Sequence, residues 1–216
     1  MIRILIADDH TIVREGLKQI LSAAGDFTVI GEASDGIEAM RRVRELEFDV
    51  LLLDISMPGK SGMELIRQVK SEKPKARILV LSMHQEHQYA VRAIRAGASG
   101  YLTKESASTQ LASALRKIAA GGAYITPEVA ELLALDTMPN VGAEPHTTLS
   151  DREFQVFRLI TAGKSVSDIG EQLHLSVKTI STHKARLMQK LGVGTTNELI
   201  RYAIQHRLTD REDDTA

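Results

Sequence analysis

Charged and hydroxyl side chains follow apolar runs in the first half of the sequence, and together they could support phosphoryl transfer. Asp8 and Asp9 follow the first run, Asp54 the third, Ser82 ends the fourth, and Lys104 follows the fifth. Neighbouring carboxylates repel one another unless a cation neutralises them, and an oxygen-only site of this kind suits Mg²⁺. One carboxylate would remain free to attack phosphorus, while the metal and the lysine neutralise the transferred phosphoryl oxygens.

These side chains can converge only if the apolar runs are strands of one sheet. Short aliphatic or β-branched runs alternate with segments of helical spacing, which predicts a parallel sheet covered by helices on both faces. Such a sheet binds ligands beyond the carboxyl ends of its strands, at the point where the strand order reverses. The predicted strands span residues 2–7, 27–33, 50–53, 76–82 and 100–102, and the predicted helices 11–24, 36–46, 62–71, 87–96 and 108–120.

The rest of the chain has no strand-like run. A short helix is predicted from Thr126, with Pro127 at its first position, to about Leu135, and residues 136–147 indicate a linker. Ser150 and Glu153 have the spacing of a capping box at the start of a helix. Glycines separate four predicted helices, at residues 154–162, 167–173, 176–190 and 195–206, which favours a helix-turn-helix bundle.

Composition narrows the class of protein. The 216 residues include 27 basic and 28 acidic side chains and no cysteine, which excludes a disulfide framework, a thiolate zinc site and a cysteine nucleophile. The start of the chain has no signal-peptide pattern, and no apolar run approaches the ~18 residues of a membrane helix. We therefore expect a soluble, cytoplasmic, two-domain protein that does not associate with a membrane.

Charge is unevenly distributed along the chain. Residues 147–207 carry 9 basic and 5 acidic side chains, whereas the tail from Leu208 carries 1 and 4. Helical projection of residues 176–190, extended by one residue, places Ile180, Leu187 and Leu191 on one apolar arc, opposite a small, polar and basic face without any acid. A helix that enters the DNA major groove requires such a face. The opposite face holds Lys178, Ser181, Thr182, Ala185, Arg186 and Gln189.

The first half resembles the receiver domain of two-component response regulators. The resemblance lies in Asp8-Asp9, Asp54-Ile-Ser-Met-Pro58-Gly, Ser82 and Tyr101-Leu-Thr-Lys104, and covers about residues 1–120. It implies a flavodoxin-like (βα)5 fold of the α/β class, with Asp54 as phosphoacceptor. It also implies that Mg²⁺ is held by Asp8, Asp9, Asp54 and the Ser56 carbonyl, that Ser82 and Lys104 bind the phosphoryl group, and that Tyr101 is an aromatic switch.

The second half is similar to the LuxR-type helix-turn-helix of the NarL/FixJ family. The motifs are Leu149-Ser-Asp-Arg-Glu153, Gly163-Lys-Ser, Leu175-Ser176, Lys178-Thr-Ile180 and Lys190-Leu-Gly-Val193. Val166 and Gly170 depart from the Asn and Ala that the family usually has there. The resemblance implies a scaffold helix at 168–173 and a recognition helix at 177–190. It places Ser181, Thr182 and Ala185 at the family's base-reading positions. From this resemblance together with the helical projection, we expect the DNA-binding residues to be Lys178, Thr179, Ser181, Thr182, His183, Lys184, Ala185, Arg186 and Lys190.

Other functions fit the sequence less well. Residues 162–165 imitate the end of a phosphate-binding P-loop, but Arg158 stands where its first glycine belongs. A phosphohydrolase would need a second acid two residues after Asp54, where Ser56 stands. His84 and His87 could share a helix face, but no third metal ligand is evident. A constitutive DNA-binding regulator with a vestigial receiver remains the alternative.

We expect a phosphorylation-dependent transcription factor rather than an enzyme. A sensor histidine kinase would phosphorylate it, and it would bind double-stranded operator half-sites as a homodimer, formed on phosphorylation or on DNA binding. The predicted organisation is a receiver at residues 1–120, a linker with a short helix at 121–146, an all-α DNA-binding domain at 147–208 and an acidic tail at 209–216.

Overall fold

The computed structural model describes residues 1–57, 62–83, 87–136, 145–206 and 208. The chain divides into two compact units, Met1–Ala134 and Leu135–Ala216. Residues 137–144 of the predicted linker, the acidic tail and His84 lie outside the described residues, as does the side chain of His87. No helix in the described part is long and apolar enough to cross a membrane.

The first unit is a five-stranded parallel sheet with strand order β2-β1-β3-β4-β5, which confirms the predicted fold class. The order reverses at β1, whose neighbours are β2 and β3. The strands are β1 (Ile2–Ala7), β2 (Phe27–Ala33), β3 (Val50–Asp54), β4 (Arg77–Ser82) and β5 (Gly100–Thr103), and the helices are α1 (Thr11–Ala24), α2 (Gly36–Glu45), α3 (Gly62–Glu72), α4 (His87–Ala96) and α5 (Lys104–Ala119). A further helix, α6 (Pro127–Asp136), ends two residues beyond the boundary of this unit.

The central strand explains why the apolar runs are continuous. Every residue of β3 is buried, since helices cover both faces of the sheet. On one face, Ile4, Leu52 and Leu79 pack with Leu111 and Leu115 of α5. Each such side chain contributes roughly 1.5–3 kcal/mol by leaving water, and this core holds the strand ends in place.

The predicted start of α5 at Ser108 is wrong by four residues. The helix begins at Lys104 because the Thr103 hydroxyl accepts a hydrogen bond from the Ser106 N–H at 3.2 Å and caps the first turn. Glu105 in that turn adds a favourable charge near the positive end of the helix. Lys104 is therefore the first residue of a helix rather than part of a loop.

The second unit is helical, as predicted. It contains a short 3₁₀ helix at Pro145–Thr148, then α7 (Asp151–Thr161), α8 (Val166–Leu173), α9 (Val177–Leu191) and α10 (Thr196–Gln205). Capping boxes at Ser150, Ser165 and Thr195 begin α7, α8 and α10. The 3₁₀ helix covers the end of the predicted linker and buries His146.

Candidate functional site

The carboxyl ends of β1 and β3 bring Asp8, Asp54 and Lys104 together. Asp54 is the last residue of β3, and Asp8 follows β1, the strand beside it. The Lys104 Nζ lies 2.6 Å from Asp54 Oδ2 and 2.8 Å from Asp8 Oδ2. Asp54 is fully buried, and the side chains of Asp8 and Lys104 are only 1% and 9% exposed. One ammonium thus neutralises part of the charge of two buried carboxylates.

The environment of Asp54 keeps its carboxylate basic. Burial raises the pKa of Asp54, although the hydrogen bonds from Lys104 and from the Ser56 N–H, 2.7 Å from Oδ1, oppose this effect. Burial by itself would lower the pKa of Lys104, but its contacts with Asp54 and Asp8 hold that pKa above the usual value. The ammonium therefore stays charged beside an oxygen nucleophile.

Four possible metal ligands lie at the same place. One ligand atom from each of Asp8, Asp9, His10 and Asp54 lies within 4.8 Å of the others. Asp9 Oδ1 is buried and accepts no hydrogen bond from any residue that the structure describes. The nearest polar atom to this oxygen among the described residues is His10 Nδ1 at 2.9 Å, and carboxylate oxygens of this kind fit a hard divalent cation.

The two predicted switch residues lie on neighbouring strands. Ser82 is the last residue of β4, fully buried, and follows Leu81, the register partner of Asp54. Tyr101 is a buried residue of β5 and is paired with Val80. Pro58 and Gly59, which belong to the same motif as Asp54, lie outside the described residues.

The sequence motifs did not identify Gly62 and Arg14, which hold the site in shape. A Cβ on Gly62 would lie 2.5 Å from the Ile55 Cα, so only glycine lets α3 begin against the turn after Asp54. Arg14 Nη1 donates a hydrogen bond of 2.7 Å to the Asp8 carbonyl, and its Nε pairs with Glu32 at 3.0 Å. No local sequence pattern could have identified either residue, because each one's role comes from a contact with a residue outside its own helix.

The second unit presents α9 in the predicted orientation. Ile180, Leu187 and Leu191 are buried against the other helices. The side chains on the opposite face are exposed: Lys178, Ser181, Thr182, Ala185, Arg186 and Gln189. This face is free of acidic residues, and its small side chains would let the helix backbone approach a surface closely.

The basic residues of α9 fall into two groups. Lys190 Nζ binds Glu153 Oε2 at 2.6 Å and the Thr148 carbonyl at 3.2 Å, and Lys184 Nζ donates to Thr196 Oγ1 at 2.9 Å. These two ammonium groups are occupied within their own unit. Within the described ranges, the exposed side chains of Lys178 and Arg186 make no hydrogen bond or ion pair, which leaves both available to a polyanion.

The remaining polar residues of α9 point partly inward. His183 is half-buried, and its Nδ1 has no hydrogen-bond partner in the described part of the chain. Burial lowers the pKa of His183, although nearby Glu153 opposes this effect. Thr179 lies beside the helix cap, with its hydroxyl 2.8 Å from that of Ser176. Contact of His183 or Thr179 with DNA stays a prediction.

Comparisons with known proteins cover both units. The family "Response regulator receiver domain" matches residues 4–116, and "Bacterial regulatory proteins, luxR family" matches residues 147–203. The response regulator UvrY of Escherichia coli K12 is 38% identical over 213 residues, covering 98% of each chain.

Solved structures of the protein RcsB are similar over most of the chain, among them one of RcsB from Salmonella enterica serovar Typhimurium. RcsB bound to the promoter rprA with the phosphomimetic BeF3⁻ is 32% identical, with a TM-score of 0.65 over 93% of this chain and 97% of RcsB. A structure of two RcsB dimers on two parallel DNAs is 31% identical, with a TM-score of 0.57 over 94% and 98% of the respective chains.

Proposed function

This chain belongs to the two-component response regulators with a LuxR-type DNA-binding domain, the NarL/FixJ family, and on this premise we propose the residues that carry its function. It is a phosphorylation-dependent, DNA-binding regulator of transcription, in a family of regulators rather than enzymes. The alternative of a constitutive regulator with a vestigial receiver has no support in the relatives.

Asp54 is the proposed phosphoacceptor, and the observation that carries this proposal is its buried carboxylate 2.6 Å from Lys104 Nζ. An Asp54 oxygen attacks the phosphorus of a phosphohistidine on the sensor kinase. The phosphorus–nitrogen bond breaks, and the histidine nitrogen keeps the electron pair. Lys104 neutralises charge on the phosphoryl oxygens, and Ser82 donates a hydrogen bond to one of them.

Asp8, Asp9, Asp54 and the Ser56 carbonyl are proposed to hold Mg²⁺. The buried Asp9 oxygen without a hydrogen bond supports this assignment. When bound, the metal stabilises negative charge on the phosphoryl group. The chain's own contribution is to hold the carboxylates at the strand ends and to keep Lys104 on the side of Asp54 that faces Asp8.

Phosphorylation is proposed to shift a pre-existing equilibrium. Ser82 moves toward the phosphoryl group and Tyr101 fills the space it leaves, which favours a homodimer on double-stranded operator half-sites. The DNA complexes and dimers of RcsB support these partners. Lys178, Thr179, Ser181, Thr182, His183, Lys184, Ala185, Arg186 and Lys190 form the proposed DNA-binding surface on α9. We place the protein in the cytoplasm, with domain boundaries at residues 120, 146 and 208.

Intact-mass measurement after incubation with acetyl phosphate and Mg²⁺ tests the acceptor. Wild type should gain one phosphoryl group that is labile in base, and Asp54→Asn should gain none. Asp49→Asn is the matched control, because Asp49 precedes the same strand at its opposite end, where it pairs with Arg3 at 3.2 Å. Equal mass gain by Asp54→Asn and wild type would show that the acceptor lies elsewhere.

A further inference from the structure

We propose that His10 is a nitrogen ligand of the divalent-cation site, so that the site also binds transition-metal ions that accept imidazole, such as Co²⁺ and Ni²⁺. This inference rests on the proposed function, in which Asp8, Asp9 and Asp54 hold a metal. It adds a ligand that an oxygen-only Mg²⁺ site lacks, and it changes which cations the protein selects.

The position of the imidazole fits a shared metal. His10 Nδ1 lies 2.9 Å from Asp9 Oδ1 and 3.3 Å from Asp8 Oδ1. Two ligand atoms that each lie ~2.1 Å from one octahedral metal, at a right angle, are about 3.0 Å apart. The nitrogen and the two carboxylate oxygens therefore have the spacing of adjacent ligands on one cation.

The side chain of His10 faces the carboxylates and does not cap its helix. His10 is the N-cap residue of α1, where Ser, Thr, Asp or Asn usually accepts a hydrogen bond from the helix, but its side chain makes no capping bond. Although its Nδ1 is close to Asp9 Oδ1, that oxygen accepts no hydrogen bond from the described residues. The imidazole thus makes no helix cap and lies within ion-pair distance of both carboxylates, where a bound cation could be shared with them.

The backbone of His10 fixes the ring near the site. Its N–H donates to Asp8 Oδ1 at 2.8 Å, so the residue is tied to one of the proposed metal ligands. The side chain is 62% exposed, which leaves room for it to adjust around a bound ion. Lys104 contacts Asp8 through the other oxygen, Oδ2, so His10 and Lys104 do not compete for one atom.

The chemistry of the added ligand predicts a change in selectivity. Imidazole binds Co²⁺, Ni²⁺ and Zn²⁺ well, whereas Mg²⁺ prefers oxygen and keeps its waters. His10 should therefore strengthen binding of Co²⁺ and contribute nothing to binding of Mg²⁺. Comparing the affinities for these two cations separates the contribution of the imidazole from that of the carboxylates, which bind both.

Two separate calorimetric titrations of the full chain at neutral pH, one with Co²⁺ and one with Mg²⁺, test the proposal. His10→Ala should weaken Co²⁺ binding by roughly tenfold or more and leave Mg²⁺ affinity unchanged. His10→Ser should behave in the same way, and since serine is a good N-cap it preserves the start of α1. His174→Ala, which removes an exposed histidine from the second unit, should match wild type for both ions.

The visible absorption of bound Co²⁺ gives a second readout, because loss of a nitrogen ligand changes the spectrum of the ion. If His10→Ala and His10→Ser bind Co²⁺ with the affinity and the spectrum of wild type, then His10 is not a ligand. That result would leave the proposed carboxylate metal site intact. If wild type binds neither Mg²⁺ nor Co²⁺, the proposed metal site itself is wrong and this inference falls with it.

Discussion

At the scale of single residues, the hydroxyl groups on the exposed face of α9 are already committed as donors. Ser181 Oγ donates to the Val177 carbonyl and Thr182 Oγ1 to the Lys178 carbonyl, each at 2.9 Å. A hydroxyl has one proton and two acceptor lone pairs, so both groups keep the ability to accept. Opposite a base edge they would favour the amino groups of adenine or cytosine, and the Thr182 methyl could contact thymine.

Thr182→Ala should therefore reduce specificity rather than general affinity. We expect a loss of roughly 1–3 kcal/mol on the operator and much less on a scrambled duplex. Lys178→Ala should weaken binding to both duplexes and lower the salt slope by about one unit, since Lys178 would contact a phosphate. Salt-dependent binding isotherms on both duplexes measure these effects.

Lys75→Ala serves as the control for this pair, because Lys75 is exposed in the other unit and should leave both isotherms unchanged. Lys178 tests phosphate contact more cleanly than Lys184 or Lys190 would, because those two ammonium groups bind Thr196 and Glu153. An equal loss on both duplexes for Thr182→Ala would mean that α9 faces the groove in another orientation.

At the scale of elements, Glu153 joins the start of α7 to the end of α9. Its Oε2 accepts the Ser150 N–H at 2.7 Å, which completes the capping box, and it binds Lys190 Nζ at 2.6 Å. Burial would raise the pKa of Glu153, but the hydrogen bonds from Lys190 and Ser150 hold it below its ordinary value. One carboxylate thus stabilises both a helix end and a contact between two helices.

This depressed pKa predicts how stability depends on pH. The stabilisation is present above the unfolded pKa, about 4.3, and is lost as pH falls through the lower pKa of the folded state. Glu153→Gln should lower the free energy of unfolding at neutral pH by roughly 1–3 kcal/mol. It should also flatten the acid limb, which is the fall of the free energy of unfolding as pH decreases below about 4.3. Urea denaturation at a series of pH values checks both effects.

Glu171→Gln is the control for this measurement, since Glu171 is exposed on α8 and should change neither the stability nor its pH profile. An acid limb that is equally steep in Glu153→Gln and in wild type would assign the pH dependence to other groups.

Helix propensity alone predicts that Gly170→Ala in α8 stabilises the protein, but the packing around Gly170 predicts the opposite. Gly to Ala inside a helix usually stabilises by up to ~1 kcal/mol. A Cβ on Gly170, however, would lie 2.9 Å from the Leu175 carbonyl oxygen in the turn between α8 and α9. This turn has little freedom, because His174 already adopts a left-handed conformation with φ 52°.

Gly170→Ala should therefore lower the free energy of unfolding, whereas Gly16→Ala in α1 should raise it by roughly 1 kcal/mol. Gly16 is the matched control, since nothing lies within 4 Å of a Cβ built on it. Urea denaturation of the two variants should give shifts of opposite sign. Stabilisation by both substitutions would show that the α8–α9 turn yields easily to a methyl group.

At the scale of the whole molecule, phosphorylation and DNA binding should be coupled through self-association. Phosphorylated wild type should bind a two-half-site duplex about 5–150-fold more tightly than Asp54→Asn treated in the same way, the usual range of such coupling. Light scattering should show a mass increase to the dimer on phosphorylation or on that duplex. Equal affinity of the two proteins, with no dimer under either condition, would support a vestigial receiver instead.

The sequence by itself determined the class of fold, the family and the candidate site residues. The five strands and their order along the chain follow from local periodicity, and in a parallel sheet the carboxyl ends of the strands share one edge. Asp8, Asp54 and Lys104 could therefore be placed together without coordinates. The exposed face of α9 follows in the same way, because helical rotation depends only on neighbouring residues.

Only the tertiary structure decided which polar side chains are bonded within the protein and which can still bind a metal or DNA. Lys190 meets Glu153 across 37 positions of sequence, Gly62 is needed because of Ile55, and His10 turns to the carboxylates instead of capping its helix. Periodicity describes which face a residue occupies, but a partner is set by the distance between elements. That distance depends on the packing of the whole unit, which no local pattern encodes.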